Sequence, residues 1–217
     1  MLIDTLKLCL VTQINHVPIE QYLNFLHEAI KGGVSSVQFR DKSVSYPTKL
    51  NTAQKLKSLL SSLNIPLIIN DDVNLAIHIN AAGVHLGQSD IHPLDARRRL
   101  GSDKIIGWSI ETYEELERAN ELDCIDYIAA SAIFPTKSKQ NCKTIWGLEG
   151  LKNLSKSSKH PVVAIGGINT SNIREVIKHG AIGAAVISAI HGTPSPQLAA
   201  SLLIQEINQG FQDVRTH

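Results

Sequence analysis

The chain has 217 residues, with 21 Lys and Arg against 20 Asp and Glu and a formal net charge of +1. So even a balance excludes a general nucleic-acid binder or a protein held on an acidic membrane by its overall field, and aromatic residues at 5% supply too few platforms for stacking single-stranded bases. Hydrophobic residues at 43% and charged residues at 19% exclude a disordered chain and leave a globular protein of one large domain or two small ones.

In chain order, short apolar runs stand at 6–11, 34–39, 67–69, 83–86, 105–108, 127–130, 162–165 and 183–187. They are continuous rather than alternating, and many are rich in Val and Ile, which is the pattern of parallel strands covered on both faces. Between them, segments such as 21–31, 47–62, 112–121 and 172–179 carry the amphipathic spacing of helices. Eight strand–helix pairs allow about 27 residues per pair, at the compact end of the (β/α)8 TIM barrel. The rival is an open doubly wound sheet, which is expected to carry a Gly-rich turn after its first strand. Here that position reads Thr12-Gln13-Ile14-Asn15. No linker, low-complexity tract or charge block marks a boundary, so the expectation is a single α/β barrel domain over 1–217 with a frayed polar tail after about Gln209.

Cys9, Cys124 and Cys142 are odd in number and widely spaced, with no C-x-x-C pair. That pattern fits a reducing cytoplasm better than a disulfide frame or a zinc cluster. Residues 1–13 lack the basic start, long apolar run and small cleavage residues of a secretion signal, and no run approaches the roughly 18 consecutive apolar residues of a membrane span. A cytoplasmic protein with neither a membrane nor a nucleic-acid partner is therefore expected, and self-association as a homo-oligomer is left open.

In a parallel barrel the C-terminal ends of all strands share one rim, where active sites sit. Residues there decide the chemistry. The second run leads into Gln38-Phe39-Arg40-Asp41-Lys42, whose cations lie two apart and can point the same way. Together they offer a planar fork and a point charge to a phosphate, although taken alone such a pair is more often an ordinary solvated surface. The third and fourth runs end in Asn70-Asp71-Asp72 and in a segment reaching Asp90, placing Asp71 and Asp90 on neighbouring strands. Hard oxygen ligands without nearby Cys or a second His favour Mg²⁺ held partly by water and substrate phosphate. Asp72 is assigned to capping the helix that starts near Val73, and Asp90 has its own alternative as a turn residue. His85 lies inside an apolar run and is read as a hydrogen-bonded core residue outside the site. Ser109 directly follows the fifth run but lacks a G-x-S-x-G elbow, so it is read as a hydrogen-bond donor and not a nucleophile.

After the sixth run, Thr136-Lys137-Ser138-Lys139 sit in a connection longer than most in compact α/β domains and can wrap an anion. Gly166-Gly167 after the seventh run permits close backbone approach to a phosphate, and Ile187-Ser188 end the eighth; loops after strands seven and eight often bind phosphate in this architecture. Two separated anion zones with a metal pair between strands three and four imply a diphosphate at one side and a monophosphate at the other.

These segments, together with Gly83-Val84-His85-Leu86-Gly87-Gln88, Gly147-Leu148 and Ala164-Ile165-Gly166-Gly167-Ile168, resemble the thiamine phosphate synthase (thiamine-phosphate pyrophosphorylase) family over nearly the whole chain. The resemblance implies a transferase that condenses 4-amino-5-hydroxymethyl-2-methylpyrimidine diphosphate with 4-methyl-5-(2-phosphoethyl)thiazole, giving thiamine phosphate and diphosphate by a dissociative, Mg²⁺-assisted route. It implies that Gln38, Phe39, Arg40, Asp41, Lys42, Asn70, Ser109 and Lys139 hold the pyrimidine diphosphate. It places Mg²⁺ on Asp71 and Asp90, and the thiazole phosphate on Thr136, Lys137, Ser138, Gly167, Ile187 and Ser188. Arg40, Lys42, Ser109 and Lys139 are then the catalytic group. The chain departs from the family where Trp108 and Glu111 replace the small apolar residue and the His usual after strand five, where Ser138 stands in place of the common threonine, and at 140–145, which has no aligned counterpart. The alternatives are a thiazole tautomerase-like barrel, which generally lacks the diphosphate and metal residues, or a non-catalytic protein that binds a phosphorylated ligand.

Overall fold

The computed structural model describes residues 2–14, 17–137 and 142–215. A short helix α1 (Leu2–Leu6) precedes β1 (Leu8–Val11), α2 (Ile19–Lys31), β2 (Ser36–Phe39), α3 (Tyr46–Ser62), β3 (Leu67–Asn70) and α4 (Val73–His78). The middle third holds β4 (Gly83–Leu86), α5 (Pro93–Leu100), β5 (Ile105–Ile110), α6 (Tyr113–Asn120) and β6 (Tyr127–Ser131). The last third holds α7 (Gly147–Ser157), β7 (Val162–Ile165), α8 (Ile173–Lys178), β8 (Gly183–Val186), α9 (Ser188–His191) and α10 (Pro196–Arg215). Each strand pairs in parallel with its neighbours in sequence, and β8 returns to β1 with Cys9 opposite Ala185 and Leu10 opposite Val186. The sheet is thus the expected closed (β/α)8 barrel, and closure leaves no edge strand.

The continuous apolar runs have a direct cause. Successive side chains of a strand point to opposite faces, and here both faces are buried. Leu8, Leu10, Val37, Phe39, Leu67 and Ile69 face the helices in the outer apolar layer. Cys9, Val11, Ile68, Tyr127, Val163 and Ala185 form the inner one. Leu6 and Leu2, from α1, pack against that inner cluster, so the first run divides: Leu6 ends the helix and the strand starts at Leu8. Gly107 makes room for the Tyr127 ring, because a Cβ there would lie 2.1 Å from Cζ.

The polar tail expected after Gln209 is corrected by the structure, where α10 runs on to Arg215. Gly210 is buried with Ile177 close by, Phe211 packs on the outer layer, and Asp213 accepts from Arg174 Nε and Nη2 at 2.8 and 3.1 Å. Charged and amide residues on the opposite face hid this apolar stripe. Among the described residues no helix is long and apolar enough to cross a membrane.

Candidate active site

A cavity of about 570 Å³ opens at the C-terminal mouth of the barrel. Of the residues singled out by sequence, Gln38, Arg40, Lys42, Asn70, Asp71, Asp90, Ser109, Thr136, Gly167, Ile187 and Ser188 line it. Phe39 does not: the pleat that turns Gln38 inward turns Phe39 into the outer apolar layer. Asp41 folds back on its own turn, accepting from Ser43 N and Oγ at 3.0 Å each. Lys137 is exposed and off the cavity wall, and Ser138 and Lys139 lie outside the described residues.

On the β2–β4 side the polar groups hold one another. Gln38 Nε2 donates to Asn70 Oδ1 at 2.8 Å, while Thr12 Oγ1 accepts from Arg40 N at 2.9 Å and donates to Arg40 O at 3.2 Å. Lys42 Nζ pairs with Asp71 Oδ2 at 2.9 Å. Asp71 takes a left-handed backbone, φ 67°, uncommon for a residue with a Cβ and concentrated at functional sites. Asp72 caps α4 as expected, accepting from Leu75 N at 2.9 Å. Asp90 Oδ2 accepts from Gly87 N at 2.7 Å. Burial, and then the Asp71 carboxyl beside it, hold the Asp90 carboxyl above the usual carboxylate range; the Gly87 amide and Lys42 pull the other way.

This carboxylate pair is the chemistry a hard divalent cation would relieve. Among the described residues no three His, Cys, Asp or Glu side chains gather to hold a metal by themselves. A cation here therefore needs oxygens from water and ligand, which fits Mg²⁺ better than a closed structural site. Cys9 brings no nucleophile, since burial pushes its thiol up to about 11.

The lining also includes residues not assigned to the site from sequence, among them His85, Glu111 and Lys143. His85 Nε2 meets Ser109 Oγ at 2.8 Å and its Nδ1 meets Tyr127 Oη at 2.9 Å. Strand periodicity held the clue: on β4, His85 alternates with the outward-facing Val84 and Leu86 and must point into the barrel. Glu111 and Lys143 belong to a clasp. Glu115 Oε2 accepts from Glu111 N at 2.7 Å, Glu115 Oε1 takes Lys143 Nζ at 2.7 Å, and Glu111 Oε2 accepts from Lys143 N at 3.0 Å. Across the mouth, Gly166 and Gly167 have φ of 103° and 65°, conformations only glycine adopts without strain. A Cβ on Gly167 would lie 2.7 Å from Pro135 O, so the loop after β7 packs directly on the one after β6.

The profile of the family described as thiamine monophosphate synthase matches residues 8–190. The chain belongs to that family. A Chlamydia caviae protein described as thiamine-phosphate synthase is 41% identical over 209 residues, covering 96% of this chain and 98% of the relative. One from Albidiferax ferrireducens is 45% identical over 180 residues, covering 83% and 82%. A solved structure described as thiamine phosphate pyrophosphorylase, from Pyrococcus furiosus, aligns with a TM-score of 0.87 at 33% identity, covering 97% of this chain and 99% of its own. The matched span contains every cavity-lining residue from Val11 to Ser188.

Proposed function

We propose that this chain is a transferase that condenses 4-amino-5-hydroxymethyl-2-methylpyrimidine diphosphate with 4-methyl-5-(2-phosphoethyl)thiazole, forming thiamine phosphate and releasing diphosphate. One observation carries the reading. In a chain of this family, a single cavity gathers Arg40, Lys42, Asp71 and Asp90 on one wall and Gly167, Ile187 and Ser188 on the other, which suits two differently phosphorylated partners. Gln38, Arg40, Lys42, Asn70, Ser109 and Lys139 hold the pyrimidine diphosphate; Thr136, Ser138, Gly167, Ile187 and Ser188 hold the thiazole phosphate. Asp71 and Asp90 hold Mg²⁺, which when bound neutralises charge on the departing diphosphate.

Arg40 and Lys42 bear on the diphosphate oxygens, where negative charge grows as the C–O bond lengthens. The bond electrons leave with diphosphate, and the electron-rich amino-pyrimidine spreads the cation left on its methylene carbon. The thiazole nitrogen then supplies the pair for the new C–N bond, so the route needs no protein nucleophile. What the walls contribute is alignment, so that capture outruns water. The tautomerase-like alternative would leave Lys42, Asp71 and Asp90 without a task, and the binding-protein alternative predicts no turnover.

The deciding experiment mixes both purified substrates with and without Mg²⁺ and measures thiamine phosphate by mass. Mg²⁺-dependent product is expected; none under either condition overturns the function, and equal rates without divalent cation overturn the role given to Asp71 and Asp90.

A further inference from the structure

Behind Ser109, the inner layer of the barrel contains a polar pair, His85 and Tyr127, that the reaction as described does not use. Tyr127 is 3% exposed and His85 7% exposed, with Tyr127 Oη 2.9 Å from His85 Nδ1 and Ser109 Oγ 2.8 Å from His85 Nε2. Rings of His85 and Tyr127 lie 5.5 Å apart, tilted by 32°. The Gly107 backbone leaves room for the Tyr127 ring, which a Cβ would push aside. Burial holds the Tyr127 phenol well above its ordinary range, so its proton stays on.

Counting protons then orients the chain. A neutral imidazole has one donor and one acceptor nitrogen. Among the described residues, Tyr127 Oη has no hydrogen-bond partner other than His85 Nδ1. If Nδ1 carried the proton, the phenol would be the acceptor and its own O–H would be buried without an acceptor, at a cost comparable to a lost hydrogen bond. Protonating both nitrogens would strand the same hydroxyl. With the phenol donating to Nδ1, its hydroxyl proton has an acceptor, and Nε2–H donates to Ser109 Oγ. The Ser109 hydroxyl, with no other side-chain contact among the described residues, must then aim its own proton into the cavity it lines.

We infer that His85, locked by Tyr127 as the Nε2–H tautomer, is a positioning residue that converts Ser109 into an obligate donor toward the anionic diphosphate. The opposite tautomer would turn the Ser109 proton back onto Nε2 and present lone pairs to an anion. The inference deepens the proposed function and rests on Ser109 being a diphosphate contact.

Two measurements test it. In ¹⁵N-labelled protein, with the His85 ring signals assigned by their loss in His85→Gln, His85 should show a protonated Nε2 and an unprotonated Nδ1. The reverse tautomer, or an imidazolium at neutral pH, overturns the inference whether or not the protein turns over substrate. In kinetics, Tyr127→Phe should raise KM for the pyrimidine diphosphate and the inhibition constant of inorganic diphosphate about fivefold, the size of one uncharged hydrogen bond. KM for the thiazole phosphate should not change. His85→Gln, whose amide N–H can still reach Ser109, should keep more affinity for diphosphate than His85→Leu, and Tyr127→Phe should add nothing to Ser109→Ala. Equal losses toward both substrates, or additive losses in the double variant, would make His85 and Tyr127 merely structural. A wild-type protein without coupling activity would instead sink the function, leaving the nitrogen signals to decide the tautomer.

Discussion

At the scale of single residues, the metal role proposed for Asp71 and Asp90 carries a cost in stability. Burial and the adjacent Asp71 raise the Asp90 carboxyl above its ordinary value, so the native state binds that proton more tightly than the unfolded chain does. Ionising Asp90 therefore costs stability, and the cost grows as pH rises through the interval between the unfolded value of about 3.9 and the raised one. Asp90→Asn should raise Tm at pH 7 without divalent ions by about 1–2 °C, a size set by its solvent screening. The gain should vanish near pH 3, where both forms are neutral, and Mg²⁺-dependent turnover should be lost. A lower Tm at pH 7 would show that the pair is not strained. Gly107→Ala tests packing. Its Cβ would press on the Tyr127 ring at 2.1 Å, and overpacking of this kind costs about 1–3 kcal/mol, visible as a lower midpoint in urea. This contact was illegible in the sequence, where Gly107 is one glycine among 14 and Tyr127 opens an ordinary apolar run.

At the scale of elements, the strands were readable because burial on both faces writes itself as an unbroken run, and α2, α3, α6 and α8 were readable because they bury one stripe. Elements that depend on distant partners were not. The five-residue α1 has too few turns to carry a period, and its place against the inner layer is decided by the barrel it closes. Glu111 and Lys143 were hidden for the same reason: 32 residues separate them, and only the fold of the connection after β6 brings them together. Thr112, Glu115 and Glu111 make a variant of the capping box. Thr112 Oγ1 accepts from Glu115 N at 3.3 Å, while Glu115 reaches past the cap to the Glu111 amide. With Glu115 only 2% exposed, Glu115→Ala leaves that amide and Lys143 without their acceptor. A loss of about 2 kcal/mol is expected from the orphaned amide, or about 4–8 °C in Tm. Calorimetry showing less than 1 °C, on the scale of about 2–4 °C per kcal/mol, would mean that the clasp is dispensable.

At the scale of the whole molecule, one closed barrel carries every lining residue, and we expect it to unfold as a single cooperative unit. The cavity wall runs from Val11 on β1 to Val186 on β8, the two strands whose pairing closes the sheet. Opening that seam would part the β1 end of the wall from the β8 end, so a ligand that touches both binds only the closed form. Ligand binding should then stabilise the whole transition and not a part of it. With inorganic diphosphate and Mg²⁺ at about 100 times their dissociation constant, linkage gives about 2.7 kcal/mol, or a Tm shift of about 5–10 °C for a chain of this size. Calorimetry should record one transition that moves intact, and Asp71→Asn should abolish most of the shift without splitting the peak. Two transitions, of which only one responds to diphosphate, would mean that the half carrying Arg40, Lys42, Asp71 and Asp90 folds and binds apart from the half carrying Gly167 and Ser188. The closure between β1 and β8 would then contribute nothing to the site.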